Sequence, residues 1–308
     1  MLSASTRAAG RCERVLVALD ISGEHAEHCP VSDIGVSRGN SYFHVSTHWI
    51  VRMTDADQPT RPLALEPTPT SLARFDSSNW LLLALSIADQ TLLRPLLRRV
   101  ELQTGQVLAE AEALLQYHYF PEGCIVSLAL GSAEVGLVGR DGLTGTATLL
   151  GANRCPFNIV VQANHSTALR ITVADLRASM GRSATLQAML LLYVQSLLVQ
   201  SSYSTLSNSH HRLESRLARW LLMCHDRIDG DELRLTHESM SMMVAAQRTG
   251  VTLCLHILEG AGMIKSMRGR VMILDRTALE RLAGEAYGGP EAEYRRLIGP
   301  FGRGACKA

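Results

Sequence analysis

Seven cysteines are the side chains of this sequence best suited to bind a metal or form a redox centre. They stand singly, without a Cys-x-x-Cys pair or the close clusters that hold zinc and iron–sulfur centres. Isolated thiols of this kind are typical of reduced, buried cysteines in a cytosolic protein. We therefore expect no metal site. The cysteines are Cys12, Cys29, Cys124, Cys155, Cys224, Cys254 and Cys306.

A second group of reactive side chains, His118, Glu122 and Cys124, lies within one short stretch and could be imagined as a catalytic cluster. No Ser-His-Asp, Cys-His or metal-binding spacing accompanies it, so no mechanism follows. We expect the protein not to be an enzyme.

The composition allows two modest domains and does not by itself indicate a nucleic-acid partner. The 308 residues are 46% hydrophobic and 19% charged, which is enough apolar material for folded cores. The formal net charge is only +1, so any contact with DNA must come from a local basic patch.

The first 75 residues differ from the rest, because His, Ser, Thr and Pro are frequent and no apolar periodicity persists. The prolines between residues 55 and 70 cannot occupy a helix interior or a central strand. We expect residues 1–75 to be a weakly ordered extension, or the product of a start site placed too far upstream. The longest apolar run, 189–199, is well short of the roughly 20 residues that cross a bilayer. A soluble, cytoplasmic protein without a membrane partner is expected.

Residues 76–178 have the pattern of a small antiparallel β-roll. A helix over 87–99, which Asp89 could cap, opens the domain. Short segments of β-type composition, broken by glycine, follow it. These segments are 100–102, 106–108, 117–120, 125–130, 134–138 and 158–162.

The stretch 179–208 has helical periodicity with one apolar face. That face could cover the β-roll or form the seam of a parallel homodimer, and we favour the dimer because of its apolar width. The seam residues would be Leu186, Met189, Leu190, Tyr193 and Leu197.

Residues 209–284 show the order helix, tight turn, helix, hairpin, which is that of a winged helix-turn-helix. Thr236 is a good N-cap for a helix over 237–244, and a turn over 245–247 leads to a second helix over 248–259. The segments 263–267 and 270–274 predict a hairpin. Residues 285–308 are left as a C-terminal tail.

The run 235–264 resembles the C-terminal domain of the Crp/Fnr superfamily of transcription regulators. Tyr119-Phe-Pro-Glu-Gly and Val135-Gly-Leu-Val-Gly-Arg-Asp-Gly resemble the strands before that family's ligand cassette. The resemblance implies an α+β chain with a cyclic-nucleotide-binding-like β-roll, a long dimerisation helix and a C-terminal winged helix-turn-helix. It also implies a homodimer that binds double-stranded DNA at a near-palindromic operator and contacts RNA polymerase.

In such a motif the second helix enters the major groove with its first residues against the base edges. Those residues are Gln247, Arg248, Thr249 and Thr252, and Arg248 can bond guanine O6 and N7 together. The basic hairpin residues Lys265, Arg268 and Arg270 are expected to hold phosphates.

The ligand cassette departs from the family's pattern. Cyclic-nucleotide-binding members have a Gly-Glu pair for the ribose and an arginine for the phosphate. With Gly145 at the glycine position, Thr146 replaces the glutamate, and Cys155 falls at the arginine position with Arg154 one residue away. A one-residue shift turns a strand side chain to the other face, so cyclic nucleotides are not expected to bind.

Other cofactors gain no support from the sequence. Only Cys12 and Cys29 precede the roll, too few for an iron–sulfur cluster. Haem ligation by His118 or His165 rests on isolated histidines and is not supported.

Ala245 stands in the turn where the family often has glycine. Alanine there costs on the order of 1 kcal/mol if φ is positive. The alternative function is therefore an interaction or scaffold protein with a degenerate helix-turn-helix that no longer binds DNA.

Overall fold

The computed structural model describes residues 75–131 and 133–303, so the proposed extension at residues 1–75 lies almost wholly outside it. The N-terminal half of the described chain contains a β-roll of two antiparallel sheets, whose strands are numbered below and have the orders β1-β7-β3 and β2-β6-β4-β5. Its strands are β1 (Arg98–Leu102), β2 (Val107–Ala109), β3 (Tyr117–Pro121), β4 (Ile125–Leu130), β5 (Ala133–Val138), β6 (Asn158–Ala163) and β7 (Ser166–Thr172). The predicted α+β architecture is confirmed, although the sequence analysis missed β7.

Two short helices, α1 (Trp80–Ala84) and α2 (Ile87–Leu93), precede the roll. The helix predicted over 87–99 ends at Leu93, because Pro95 lies in the 3-10 turn that follows. The predicted cap was also wrong: the Ser86 hydroxyl accepts from the Asp89 amide. The Asp89 carboxylate instead accepts hydrogen bonds from Ser183 and Thr185, which tie α2 to a later helix.

A long helix crosses the roll. Helix α3 (Val173–Arg182) leads into α4 (Ala184–His210) at the N-cap Ser183. The predicted dimer seam is wrong for most of its residues: Leu186, Leu190, Tyr193 and Leu197 are buried within their own chain. Tyr193 donates its hydroxyl hydrogen to the Leu143 carbonyl at 3.0 Å, which shows that this face covers the roll.

The opposite face of α4 is the one left in solvent. Its leucines are Leu191, Leu192, Leu198 and Leu206, and Leu198 is 59% exposed. By length and composition α4 is also apolar enough to cross a membrane, but core helices of soluble proteins meet the same criterion.

The C-terminal unit follows α4 and has the predicted winged order. It consists of α5 (Leu213–Asp226), β8 (Glu232–Leu233), α6 (His237–Met243), α7 (Arg248–Gly260), β9 (Ile264–Met267), β10 (Arg270–Ile273) and α8 (Arg276–Ala283). The three strands form one antiparallel sheet in the order β8-β10-β9.

Residues 285–303 are not a tail. Helix α9 (Gly289–Leu297) packs against α4, and Tyr294 is buried there. Phe301 lies edge-on to Trp80, with ring centroids 5.4 Å apart. These buried aromatic side chains hold the C-terminal segment against α1, which precedes the roll. The short apolar pattern of the segment did not reveal this packing.

Candidate nucleic-acid interface

The first helix of the motif, α6, begins where the sequence predicts. The Thr236 hydroxyl accepts from the Ser239 amide at 3.0 Å, and the Ser239 hydroxyl accepts from the Thr236 amide at 3.1 Å. This reciprocal capping box satisfies two amides that a helix start leaves without partners.

The turn between α6 and α7 holds a strained residue. Ala245 has φ +47°, the left-handed region that favours glycine. Its amide still donates to the Met242 carbonyl at 3.3 Å, and the Ala246 amide donates to the Ser241 carbonyl at 3.0 Å. The turn keeps its hydrogen bonds and bears the steric cost of the alanine Cβ.

Helix α7 has one face in the core and one in solvent. Val251, Cys254, Leu255 and Leu258 are buried with residues of α5 and the hairpin. This anchoring fixes the helix rotation, because helical side chains three and four apart share a face. The opposite face consists of Arg248, Thr249, Leu253, His256 and Ile257, all exposed.

The structure brings Gln247, Arg248 and Thr249 together at the start of α7 and leaves them open to solvent. Their side chains have no hydrogen-bond partner within the described part of the chain. Thr252 differs, because its hydroxyl donates to the Arg248 carbonyl at 3.0 Å and lies 3.0 Å from His237 Nδ1. Thr252 therefore braces α7 against α6 and is a weaker candidate for base contact than the sequence suggested.

The hairpin of β9 and β10 carries the three predicted basic residues. Gly269, with φ +74°, makes its turn, and Lys265, Arg268 and Arg270 are all exposed. Arg270 lies 3.4 Å from a carboxylate oxygen of Glu232, whereas Lys265 and Arg268 form no ion pair with any residue from 75–131 or 133–303. Two of the three cations, Lys265 and Arg268, are thus available to contact phosphate groups.

Three of the four acidic residues at 226–232, before α6, form ion pairs with cations outside the hairpin. Asp226 pairs with Arg276 at 2.7 Å, and Asp231 pairs with Arg303 at 2.8 Å. Asp229 pairs with Arg140 of the roll. These three carboxylates therefore do not offset the charge of the hairpin, whereas Glu232 lies beside Arg270.

The degenerate cassette belongs to the roll, in the connection between β5 and β6. Gly145 has φ +78°, the left-handed region that favours glycine, and a Cβ there would meet Leu115 Cδ2 at 2.2 Å unless that side chain moved. Thr146 opens a 3-10 turn. Arg154 is exposed and donates to the Glu112 carbonyl, whereas Cys155 is buried. The one basic side chain of the predicted cassette points to solvent.

The structure also describes the two histidines, His118 and His165, for which the sequence did not support haem ligation. His118 is buried, its Nδ1 lies 2.8 Å from the Thr144 carbonyl and its Nε2 lies 2.9 Å from the Thr148 hydroxyl. Burial lowers the His118 pKa to about 4, so the ring is neutral and both nitrogens are engaged. His165 is exposed near Arg234. Among the described residues, no group of three or more acidic, histidine or cysteine side chains could hold a metal.

The sequence analysis missed Leu253, His256 and Ile257 as members of the exposed α7 face. The signal was available, because Leu253 follows Thr249 by four residues and Ile257 follows Leu253 by four.

Comparisons with known proteins agree with this architecture. A family model described as a Crp-like helix-turn-helix domain matches residues 215–282. A search of curated proteins finds no match.

Several solved structures share the fold. A transcriptional regulator of the CRP family from Thermus thermophilus is 18% identical, with a TM-score of 0.51 over 61% of this chain and 98% of its own. FixK2 from Bradyrhizobium japonicum is 14% identical, with a TM-score of 0.52 over 62% of this chain and 99% of its own. The global regulator CLP from Xanthomonas campestris, described as c-di-GMP responsive, is 13% identical with a TM-score of 0.50 over 61% and 99% of the two chains. This chain thus carries a Crp-like helix-turn-helix domain at residues 215–282, on the fold of the Crp/Fnr regulators.

Proposed function

We propose that the chain is a sequence-specific DNA-binding transcription regulator that places α7 in the major groove. The observation that carries the proposal is the open start of α7, where Arg248 and Thr249 lie exposed on a matched helix-turn-helix. The free cations Lys265 and Arg268 of the hairpin supply phosphate contacts beside it. Such a protein works in the cytoplasm, contacts RNA polymerase and catalyses no reaction.

The regulator acts as a homodimer on a near-palindromic site. The support for this is the solvent face of α4, where Leu191, Leu192, Leu198 and Leu206 are exposed along one long helix. A row of apolar side chains of this kind is stabilised by a second copy of the helix. A two-fold dimer presents two α7 helices to two half-sites.

Cyclic AMP and cyclic GMP are not the effectors. Thr146 offers no carboxylate for the ribose hydroxyls. The position where the family has its phosphate-binding arginine is held by the buried Cys155, and the neighbouring Arg154 is exposed to solvent. An anionic phosphate in such a site would be buried without a cation, which is costly.

A gel shift over a series of salt concentrations tests the function. The regulator should bind duplex DNA with an affinity that falls steeply as salt rises, since phosphate contacts release counterions. Arg268→Ala should lower that slope, while Arg98→Ala, an exposed cation of the roll, is the control and should not. A scaffold protein would bind no duplex at any salt concentration, and this result would remove the proposal.

A further inference from the structure

Two large apolar side chains, Leu253 and Ile257, lie on the solvent face of α7. Leu253 is 62% exposed and Ile257 is 47% exposed. The other side of the helix buries four residues in the core, whereas these two side chains face solvent. Large apolar side chains left in water on a short helix indicate a surface that becomes covered on binding.

Leu253 and Ile257 differ in their distance from the start of α7. Leu253 is the sixth residue of α7 and follows the exposed Thr249 by four, so both lie on one strip of the first two turns. Ile257 lies a further turn towards the C-terminus. Base edges are contacted by the N-terminal part of such a helix, which places Thr249 and Leu253, rather than Ile257, at the groove floor.

The charges around this strip favour DNA over a protein partner. Arg248 flanks it at the helix start, and Lys265 and Arg268 lie in the hairpin that follows α7. The acidic residue of the helix, Glu259, is half-buried and accepts from the Ser266 amide at 3.2 Å. An apolar strip with cations beside it complements a groove with phosphates at its rims and an apolar group on its floor.

Only one apolar group projects into the major groove, the C5-methyl of thymine. We propose that Leu253, together with the methyl group of Thr249, reads thymine methyls, so that each half-site carries A·T pairs at this point beside the pair read by Arg248. The inference rests on the proposed DNA-binding function. Leucine has no hydrogen-bonding group, so its preference depends on the methyl alone.

The expected size of the effect follows from the burial of one methyl group. About 0.8 kcal/mol per buried carbon corresponds to about fourfold in affinity, and to about sixteenfold for two equivalent contacts in a symmetric site. This is smaller than the loss of a two-pronged arginine contact, but large enough to measure.

The test uses the full-length protein. A preferred operator is first selected from a random duplex library, and thymines are then replaced one at a time by deoxyuridine, which keeps base pairing and lacks only the methyl. We expect about a fourfold loss at one or two positions per half-site for the wild type, and no loss at the Leu253-dependent position for Leu253→Ser. Ile257→Ser is the matched control and should keep the wild-type deoxyuridine pattern.

Three outcomes contradict the inference. Tight, selective binding that is insensitive to deoxyuridine at every position would place the apolar strip away from the bases. A Leu253→Ser variant that loses affinity equally for thymine and deoxyuridine duplexes would show a role other than methyl contact. Failure of the wild type to bind any duplex would remove the proposed function itself and leave the strip to a protein partner. Circular dichroism of both serine variants checks that the exposed changes leave the fold intact.

Discussion

The indole Nε1 of Trp220 donates a hydrogen bond to Glu134 Oε1 at 3.1 Å, and this bond joins α5 of the DNA-binding unit to β5 of the roll. The other carboxylate oxygen of Glu134 is buried without a hydrogen-bond partner in the described part of the chain. Burial raises the pKa of Glu134 to about 7, although the nearby Ser127 hydroxyl, the Trp220 hydrogen bond and the cations Arg219 and Arg227 act against the rise. The contact between the two units therefore contains a carboxyl group that titrates near neutral pH.

Replacing Glu134 by glutamine should stabilise the protein at alkaline pH. The native state binds a proton at Glu134 more tightly than the unfolded chain, so the free energy of unfolding decreases as pH rises from about 4.5 to about 7. Glu134→Gln removes this loss and should raise the free energy of unfolding at pH 8 by up to about 3 kcal/mol, with little effect at pH 4. Urea unfolding at the two pH values measures it. The control is Glu101→Gln, at an exposed position of β1, which should not change the difference in unfolding free energy between the two pH values.

The two faces of α4 should respond differently to substitution. Leu198→Asp, on the exposed face, should give a folded monomer, because it places charge in the proposed dimer seam. Leu190→Ala, on the buried face, should lower the free energy of unfolding by about 2 to 5 kcal/mol and leave the protein dimeric. Light scattering and urea unfolding separate the effects. A wild-type protein that is monomeric at micromolar concentration contradicts the dimer.

The helix-turn-helix could be predicted almost to the residue because its signals are local. Thr236 caps α6, Arg248 opens α7 and Gly269 turns the hairpin, each as the sequence indicates. The function of the apolar face of α4 could not be predicted, since coverage of the roll and dimerisation require the same pattern. Only the placement of Tyr193 against Leu143 decides between them.

Long-range packing accounts for the other errors. Residues 285–308 have little apolar periodicity, and α9 is held by Tyr294 and by Phe301, which also stacks under Arg227 at 4.9 Å. Arg227 in turn pairs with Asp141 of the roll at 2.7 Å, with both side chains buried. These contacts join residues far apart in the chain, so no local pattern could reveal them. Strand β7 was missed because its alternation is broken at Ala168 and Leu169, which are adjacent and both buried. Arg170 keeps the alternation and lies over the Tyr117 ring at 4.3 Å.

Isothermal titration calorimetry with cyclic AMP or cyclic GMP should show no binding. Arg154 lies in solvent and Cys155 is buried where a phosphate would need a cation. Micromolar affinity that Arg154→Ala abolishes would show that the assignment of the cassette is wrong.

The strained turn offers a simple stabilising change. Ala245→Gly should raise the free energy of unfolding by up to about 1 kcal/mol, because glycine adopts the φ of +47° without a Cβ clash. Ala261→Gly is the matched control. Ala261 has φ −84°, so glycine there only adds unfolded-state entropy and should destabilise the protein. Equal effects of the two changes in thermal unfolding would argue against strain at Ala245.

Arg248 and the hairpin cations should differ in the kind of binding energy they contribute. Arg248 is free at the start of α7, and its loss should cost roughly 1 to 3 kcal/mol per half-site and relax the preference at one base pair. Arg268→Ala should weaken binding to all duplexes alike and lower the salt dependence by about one unit of slope per lost contact. Arg270→Ala should do the same to a smaller extent, because Glu232 lies 3.4 Å from its guanidinium.

Gel shifts with the selected operator and its single-base variants, repeated over a series of salt concentrations, distinguish these effects. Since a dimer makes each contact twice, both should appear symmetrically in the two half-sites. If Arg248→Ala leaves operator affinity unchanged while Arg268→Ala alters base preference, α7 does not lie in the major groove.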